Sequence, residues 1–292
     1  LSSAMASKAI GDLLANPAVL IAHWNSQDQT VRAKLANLHG VSIDQVFLTS
    51  GALGAIQYVF ELFVNDRTRV GLLRPDFPGF VHHAERTRGE VSWFEKLVFP
   101  FSFSTEELSD FLQKESIDFF ILSNPSAVTG VLHNHENIES LAAHTKAMVV
   151  VDEADAITTD SVTNLTNHHD NVVVIRSFSK FYGLAALRIG YIVCPKKWSE
   201  YFGNILSPAE LSSFALIAAD AVLEDIPFQK QTQKIVAENL RLLQTAIART
   251  PYTLVPGSKC FATYLSAPDS IDDPHLTLFH KGVSILGGNI FG

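Results

Sequence analysis

Between about residue 45 and residue 195 the chain alternates short apolar runs with stretches whose apolar positions recur every three or four residues. The apolar runs are Val46–Thr49, Val70–Leu73, Val91–Phe94, Phe119–Leu122, Met148–Val151, Val172–Ile175 and Ile189–Val193. Several carry Val, Ile, Leu or Phe at successive rather than alternate positions, the pattern of strands buried on both faces of a parallel sheet. Helices are predicted between them over Ala52–Val64, Pro78–Arg86, Thr105–Gln113 and His135–Thr145, the third opened by a capping box at Ser104-Thr105-Glu106-Glu107. Strand and helix in alternation predict an α/β domain with a doubly wound, mostly parallel sheet in three layers. Ligands of such sheets bind where loops leave the carboxyl ends of the strands.

From Ser207 the pattern changes. Pro208–Leu223 and Gln229–Arg249 read as long helices, Tyr252–Val255 and Cys260–Leu265 as short strands, Pro274–Lys281 as a short helix capped by Asp273, and Val283–Leu286 as a last strand. The expected partition is an N-terminal segment over 1–40, a large domain over 41–205 and a smaller α+β domain over 206–292. The chain begins Leu1-Ser2-Ser3 and stops at Gly292 soon after its last expected strand, so a chain trimmed at both ends is expected, with no signal peptide.

Composition narrows the class. The 292 residues are 47% hydrophobic and 18% charged, ample for a sizeable core and inconsistent with disorder. A net charge of −8 argues against a protein held by nucleic-acid phosphates. No apolar run approaches a membrane span. Two cysteines, Cys194 and Cys260, make no disulfide framework, so a reducing, cytoplasmic setting is expected, with both thiols buried and inert. His82-His83, His133/His135 and His168-His169 lack partners at metal-ligand spacing and read as surface loop residues, so no metal is expected.

One stretch carries chemistry. Ser177-Phe178-Ser179-Lys180-Phe181-Tyr182-Gly183-Leu184-Ala185-Ala186-Leu187-Arg188-Ile189-Gly190 follows an apolar strand. A lysine flanked by hydroxyls, then Gly, then Arg eight residues on, then Gly, resembles the cofactor-lysine motif of fold-type-I pyridoxal-phosphate enzymes, on the class I/II aminotransferase side near the histidinol-phosphate aminotransferases. Lysine is a primary amine able to form a Schiff base with an aldehyde cofactor. Arg188 can grip a phosphate dianion in bidentate fashion, and Ser177 and Ser179 can donate to it. Three further segments resemble the family. Val150-Val151-Asp152-Glu153-Ala154-Asp155 ends a strand, and the resemblance implies that Asp152 faces the pyridine nitrogen. Leu48-Thr49-Ser50-Gly51-Ala52 joins a strand to a helix, whose first N–H groups suit an anion; Ser50, Gly51 and Ala52 are thereby implied in phosphate binding. In Arg74-Pro75-Asp76-Phe77-Pro78-Gly79-Phe80 the resemblance implies that Phe77 stacks on the ring, with Phe80 as the alternative. The letters Asp-Glu-Ala-Asp do not mark a helicase, because no phosphate loop precedes them.

The sequence also departs from the family. In Asn124-Pro125-Ser126-Ala127-Val128-Thr129-Gly130, the Asn that donates to the cofactor's phenolic oxygen is replaced by Ala127, unless a local shift brings Asn124 into reach. The Tyr that contacts the same oxygen is replaced by Asp155. Loss of both donors implies an internal aldimine that holds its proton to higher pH than in ordinary aminotransferases. The partner-subunit Tyr would fall near His23-Trp24, and the Arg that clamps a substrate carboxylate would lie beyond Gly288–Gly292. The implied function is a pyridoxal 5'-phosphate-dependent aminotransferase. Through a Lys180 Schiff base it would move an amino group between an amino acid or amino-alcohol phosphate and a keto acid. A homodimer with small-molecule partners, and neither nucleic acid nor membrane, goes with it. Two alternatives stay open: a decarboxylase or lyase on the same fold, and a pseudoenzyme that keeps the fold as a binding module.

Overall fold

The computed structural model describes residues 2–16, 27–96, 99–101, 103–207, 210–256, 263–268 and 270–288. Seven strands form one sheet: β1 (Val46–Thr49), β2 (Arg69–Arg74), β3 (Glu90–Glu95), β4 (Phe119–Ser123), β5 (Met148–Asp152), β6 (Val172–Ser177) and β7 (Gly190–Val193). Their spatial order is β1-β7-β6-β5-β4-β2-β3. The pairs among β2 to β6 are parallel, and β7 runs antiparallel to both β6 and β1.

The unbroken apolar runs are explained by the two faces. In β6, Val173 and Ile175 join one buried cluster, and Val172 and Val174 join another. The first cluster packs the sheet against α3 (Gly51–Phe63), α4 (Gly79–Arg86) and α7 (Lys196–Ile205); the second packs it against α5 (Thr105–Lys114) and α6 (His135–Ala143). Burial of both sets removes any place for a polar alternate position. A third cluster joins β1 and β7 to α1 (Ala4–Leu14), α2 (Gln27–His39) and α8 (Ser213–Glu224). Here Ser3 caps α1 and also donates to Asp225, which in turn caps α9 (Ile226–Ile247).

The local signals hold where a cap is present. Ser104 and Glu107 form the reciprocal capping box, and Asp273 caps α10 (Pro274–Phe279). Two helices start elsewhere than expected. α9 begins three residues before Gln229, because Asp225 caps it and Pro227 occupies the first turn, where no N–H is required. α8 begins at Ser213 because the Ser212 hydroxyl accepts from Ala215 N. The C-terminal strands reduce to the two-residue β8 (Thr253–Leu254) and β9 (Leu265–Ser266); residues 260–262 of Cys260–Leu265 lie outside the described residues. Val283–Leu286 is not a strand: Val283 and Leu286 are exposed, and no described strand pairs with the run. Periodicity alone cannot supply a partner. No helix among the described residues is long and apolar enough to cross a membrane.

Candidate active site

Parallel strands end on one edge of the sheet. The register places Ser123 beside Asp152, and Asp152 beside Ile175, so β4, β5 and β6 deliver their carboxyl ends together. The antiparallel β7 starts where they stop, with Gly190 opposite both Ser177 and Thr49. Topology thus gathers Ser50–Ala52, Asp152, Ser177–Lys180 and Arg188 along one edge. Gly190 is needed for this closure. A Cβ there would lie 2.6 Å from the Gly51 carbonyl carbon and 2.8 Å from Ala52 N.

The segment after β6 is pinned from below and open above. Phe178, Phe181 and Tyr182 are buried, and Leu184 N donates to Phe178 O. Gly183 turns the chain at φ +69°, and its N–H donates to Lys180 O. The Ser177 hydroxyl is buried and accepts from Ser179 N. Arg188 sits left-handed at φ 51°. Its Nη1 donates to Ala185 O at 2.9 Å and to Ser179 Oγ at 3.4 Å. The guanidinium overhangs the start of α3: a Cβ on Gly51, itself at φ +70°, would stand 2.4 Å from Arg188 Nη2. Glycine at position 51 thus leaves room for a cation over the first turn of α3, a cradle suited to an anion.

At the other end of the edge the charge is negative. Asp152 is buried and accepts from Ala154 N at 2.9 Å, and no other donor to its side chain is found among the described residues. Burial pushes its carboxyl up to about 7, with Asp155 adding to the rise and Lys180 opposing it. Asp76, also buried, accepts from Ser123 N at 3.1 Å, from Phe77 N at 2.7 Å and from the Ser123 hydroxyl. Burial pushes it up to about 6 against those hydrogen bonds, and Asp155 raises it further. Lys180 Nζ donates to Asp155 Oδ1; the lysine side chain is 42% exposed and the aspartate 9%.

Some expectations find a place here and others do not. Phe77 is half-buried with its ring edge-on to Phe80, and Phe80 is buried in the core, where it cannot stack on a ligand. Asn124 does not replace the lost donor: its amide donates to His133 O and its carbonyl accepts from His133 N. His23 and Trp24 lie outside the described residues, as do Cys260 and Gly292. The histidines are not all surface loops: His83 is buried on α4 and stacks on Phe60. Cys194 is buried and its thiol is pushed up to about 12 by desolvation, an inert state. Among the described residues no cluster of His, Cys, Asp and Glu could hold a metal.

Sequence reasoning missed four participants. Asp76 gave no signal beyond an acid inside an apolar stretch. Glu210 accepts from Ser50 N at 3.2 Å and from the Tyr58 hydroxyl at 2.7 Å, the first across 160 residues of chain, and no local spacing announces that. Arg176 and Glu153 form a buried pair at 3.6 Å. Together they tie down the loop after β5, through Thr158 O, Thr159 O, Ser161 and Val162 N. A charged residue at the last turn of an otherwise apolar strand was the available cue for Arg176.

Residues 7–292 match the family described as aminotransferase class I and II. The chain belongs to that family. A histidinol-phosphate aminotransferase of Halorubrum lacusprofundi is 33% identical over 207 residues, 68% of this chain and 56% of the relative. The chain thus spans a little over half the length of that curated relative. Aspartate aminotransferase of Thermus thermophilus, as a tetra mutant, superposes with TM-score 0.86 at 17% identity over 99% of this chain and 85% of that one. Histidinol-phosphate aminotransferase of Sinorhizobium meliloti, solved with pyridoxal-5'-phosphate, gives TM-score 0.78 at 20% identity over 88% and 70%. The fold is that of the fold-type-I pyridoxal-phosphate enzymes, and pyridoxal phosphate is the family's cofactor.

The residues of this aminotransferase-family chain fit that cofactor. The glycine cradle beside Arg188 suits a phosphate dianion. The singly bonded, buried Asp152 suits a protonated ring nitrogen. The primary amine of Lys180 leaves the same sheet edge and reaches Asp155.

Proposed function

We propose that the protein is a pyridoxal-phosphate-dependent aminotransferase that exchanges an amino group between an amino acid or amino-alcohol phosphate and a keto acid. When bound, the cofactor supplies an aldehyde for the amino group and an electron-withdrawing ring. The chain's own residues hold and tune it. Ser50, Gly51, Ala52, Ser177, Ser179 and Arg188 would grip the phosphate, and Phe77 would cover one ring face. Asp152, as a carboxylate beside the ring nitrogen, would keep that nitrogen protonated. Lys180 would attach the cofactor through its amine and, once released, move a proton at the substrate Cα as a general base. A cytoplasmic homodimer is the accompanying proposal.

The observation that carries this reading is the meeting of Lys180, Asp152 and the Arg188–Gly51 cradle on one sheet edge, from segments spread over about 140 residues of chain. The test is an absorbance spectrum with added pyridoxal phosphate, recorded beside Lys180→Ala. A visible band that requires Lys180 is the expected result. A folded protein that gives no band overturns the reading and moves the chain to a binding role.

A further inference from the structure

We propose that Glu210 sets the anion affinity of the cradle: it caps the start of α3 with a negative charge, against which a phosphate dianion has to bind. The inference rests on the reading of that turn as the phosphate site. It goes beyond that reading because it assigns a residue that opposes binding, where the others favour it.

The need for a cap comes from the sequence of α3 itself. A helix starts with four N–H groups that have no partner inside it. Ser50 stands at the N-cap, but its side chain makes no capping bond, and the first turn carries no acid. In a capping box the third helical residue returns a carboxylate or amide to the N-cap N–H. Here that residue is Leu53, which has no acceptor to return. Glu210 supplies one from the segment between α7 and α8. Its Oε1 accepts from Ser50 N at 3.2 Å and its Oε2 from the Tyr58 hydroxyl at 2.7 Å. Burial and the neighbouring Glu210 push the Tyr58 phenol up to about 12, so it stays a donor and keeps the carboxylate turned towards α3.

Arg188 brings the opposite charge to the same stretch of helix. A Cβ on Gly51 would meet its guanidinium, and a Cβ on Gly54 would stand 3.5 Å from Glu210 Oε1. A cation and an anion therefore both overlook the start of α3, yet no ion pair joins them among the described residues. Each is held by partners of its own: Arg188 by Ala185 O and Ser179 Oγ, Glu210 by Ser50 N and Tyr58. In the empty protein a carboxylate at a helix start is stabilising. When a dianion enters the same turn, the carboxylate becomes a like charge at short range and opposes it. The cradle is thereby built for release as well as for capture.

The test uses cofactor-free protein titrated with inorganic phosphate at pH 8, with binding read as the rise in melting temperature. Glu210→Gln keeps an acceptor for Ser50 N and removes the charge. It is expected to tighten phosphate about fivefold at about 0.05 M salt and to lose most of that gain at about 0.5 M. Glu210→Ala should tighten phosphate likewise, but without phosphate it should melt below Glu210→Gln, because the cap is gone. Pyridoxal, which lacks the phosphate, should bind both variants as it binds the wild type. Either neutral variant carries the test if the other fails to melt cooperatively. Unchanged or weaker phosphate binding overturns the inference, as does a gain that salt leaves untouched or that extends equally to pyridoxal. Arg188→Ala separates this outcome from failure of the cradle. If it weakens phosphate while the Glu210 variants change nothing, the cradle stands and only the role of Glu210 falls. If it leaves phosphate binding unchanged, or none of the proteins binds phosphate, the cradle reading falls and the inference falls with it.

Discussion

The two ends of the active-site edge are built from different material. At the cradle end, Gly51 leaves room for the Arg188 guanidinium, and Gly190 leaves room for the backbone of Gly51 and Ala52. At the acidic end, Asp76 and Asp152 are buried with carboxyls raised by desolvation, and Asp155 takes the contact of Lys180. The first end should respond to added atoms and hardly to pH, and the second to pH more than to isosteric exchange. Under the proposed function the site would bind a fixed dianion at one end and move protons at the other, which would call for both kinds of construction.

The acidic end should give the largest effect. Asp152 is raised from 3.8 to about 7 in the fold, so the folded state binds its proton more tightly than the unfolded chain does. Its contribution to stability is full below pH 3.8 and is lost as pH rises through 7, a span of roughly 4 kcal/mol. Asp152→Asn should match the wild type near pH 4 and melt higher at pH 8 in the cofactor-free protein. Asp76, raised to about 6, leaves a shallower residual slope of the same sign. Equal pH dependence in variant and wild type would remove the contrast between the two ends.

At the cradle end, Gly190→Ala should destabilise by about 3 kcal/mol at every pH, because its Cβ meets backbone that cannot yield. A denaturant titration at pH 5 and pH 8 separates this constant loss from the pH-dependent one. Arg188→Ala should leave stability nearly unchanged and weaken pyridoxal phosphate roughly tenfold to a hundredfold, the worth of a charge-assisted hydrogen bond pair. The same variant should bind pyridoxal, which lacks the phosphate, as the wild type does. Loss of affinity for both would mean that Arg188 shapes the cleft rather than gripping the phosphate.

The fold was legible wherever a rule is local. Each of the seven strands of the main sheet is announced by its own apolar run, and the caps Ser104 and Asp273 by their spacing. The run Val283–Leu286 looks the same as those seven, yet it forms no strand, because a strand exists only where another backbone offers donors and acceptors. In the site, Lys180, Arg188 and Asp152 are legible from motif spacing. The partner of Lys180 is not, although Asp155 stands out as a departure. Asn124 is open to either role until its amide is found bonded in both directions to His133. The reach of Glu210 to Ser50 N spans too much chain for any pattern to carry.

By itself the sequence determined which segments are strands buried on both faces, which residue types could perform amine and phosphate chemistry, and which family the motifs resemble. These follow from properties a residue brings with it: apolar bulk, an amine, a guanidinium, the absence of a Cβ. Tertiary structure alone decided that Asp76, Asp152 and Asp155 feel one another's charge, that Asp155 is the one in contact with Lys180, and that Gly190 underlies the turn at Gly51. Those are distances between segments brought together by sheet order, and the free energy of a buried charge depends on its neighbours in space rather than along the chain.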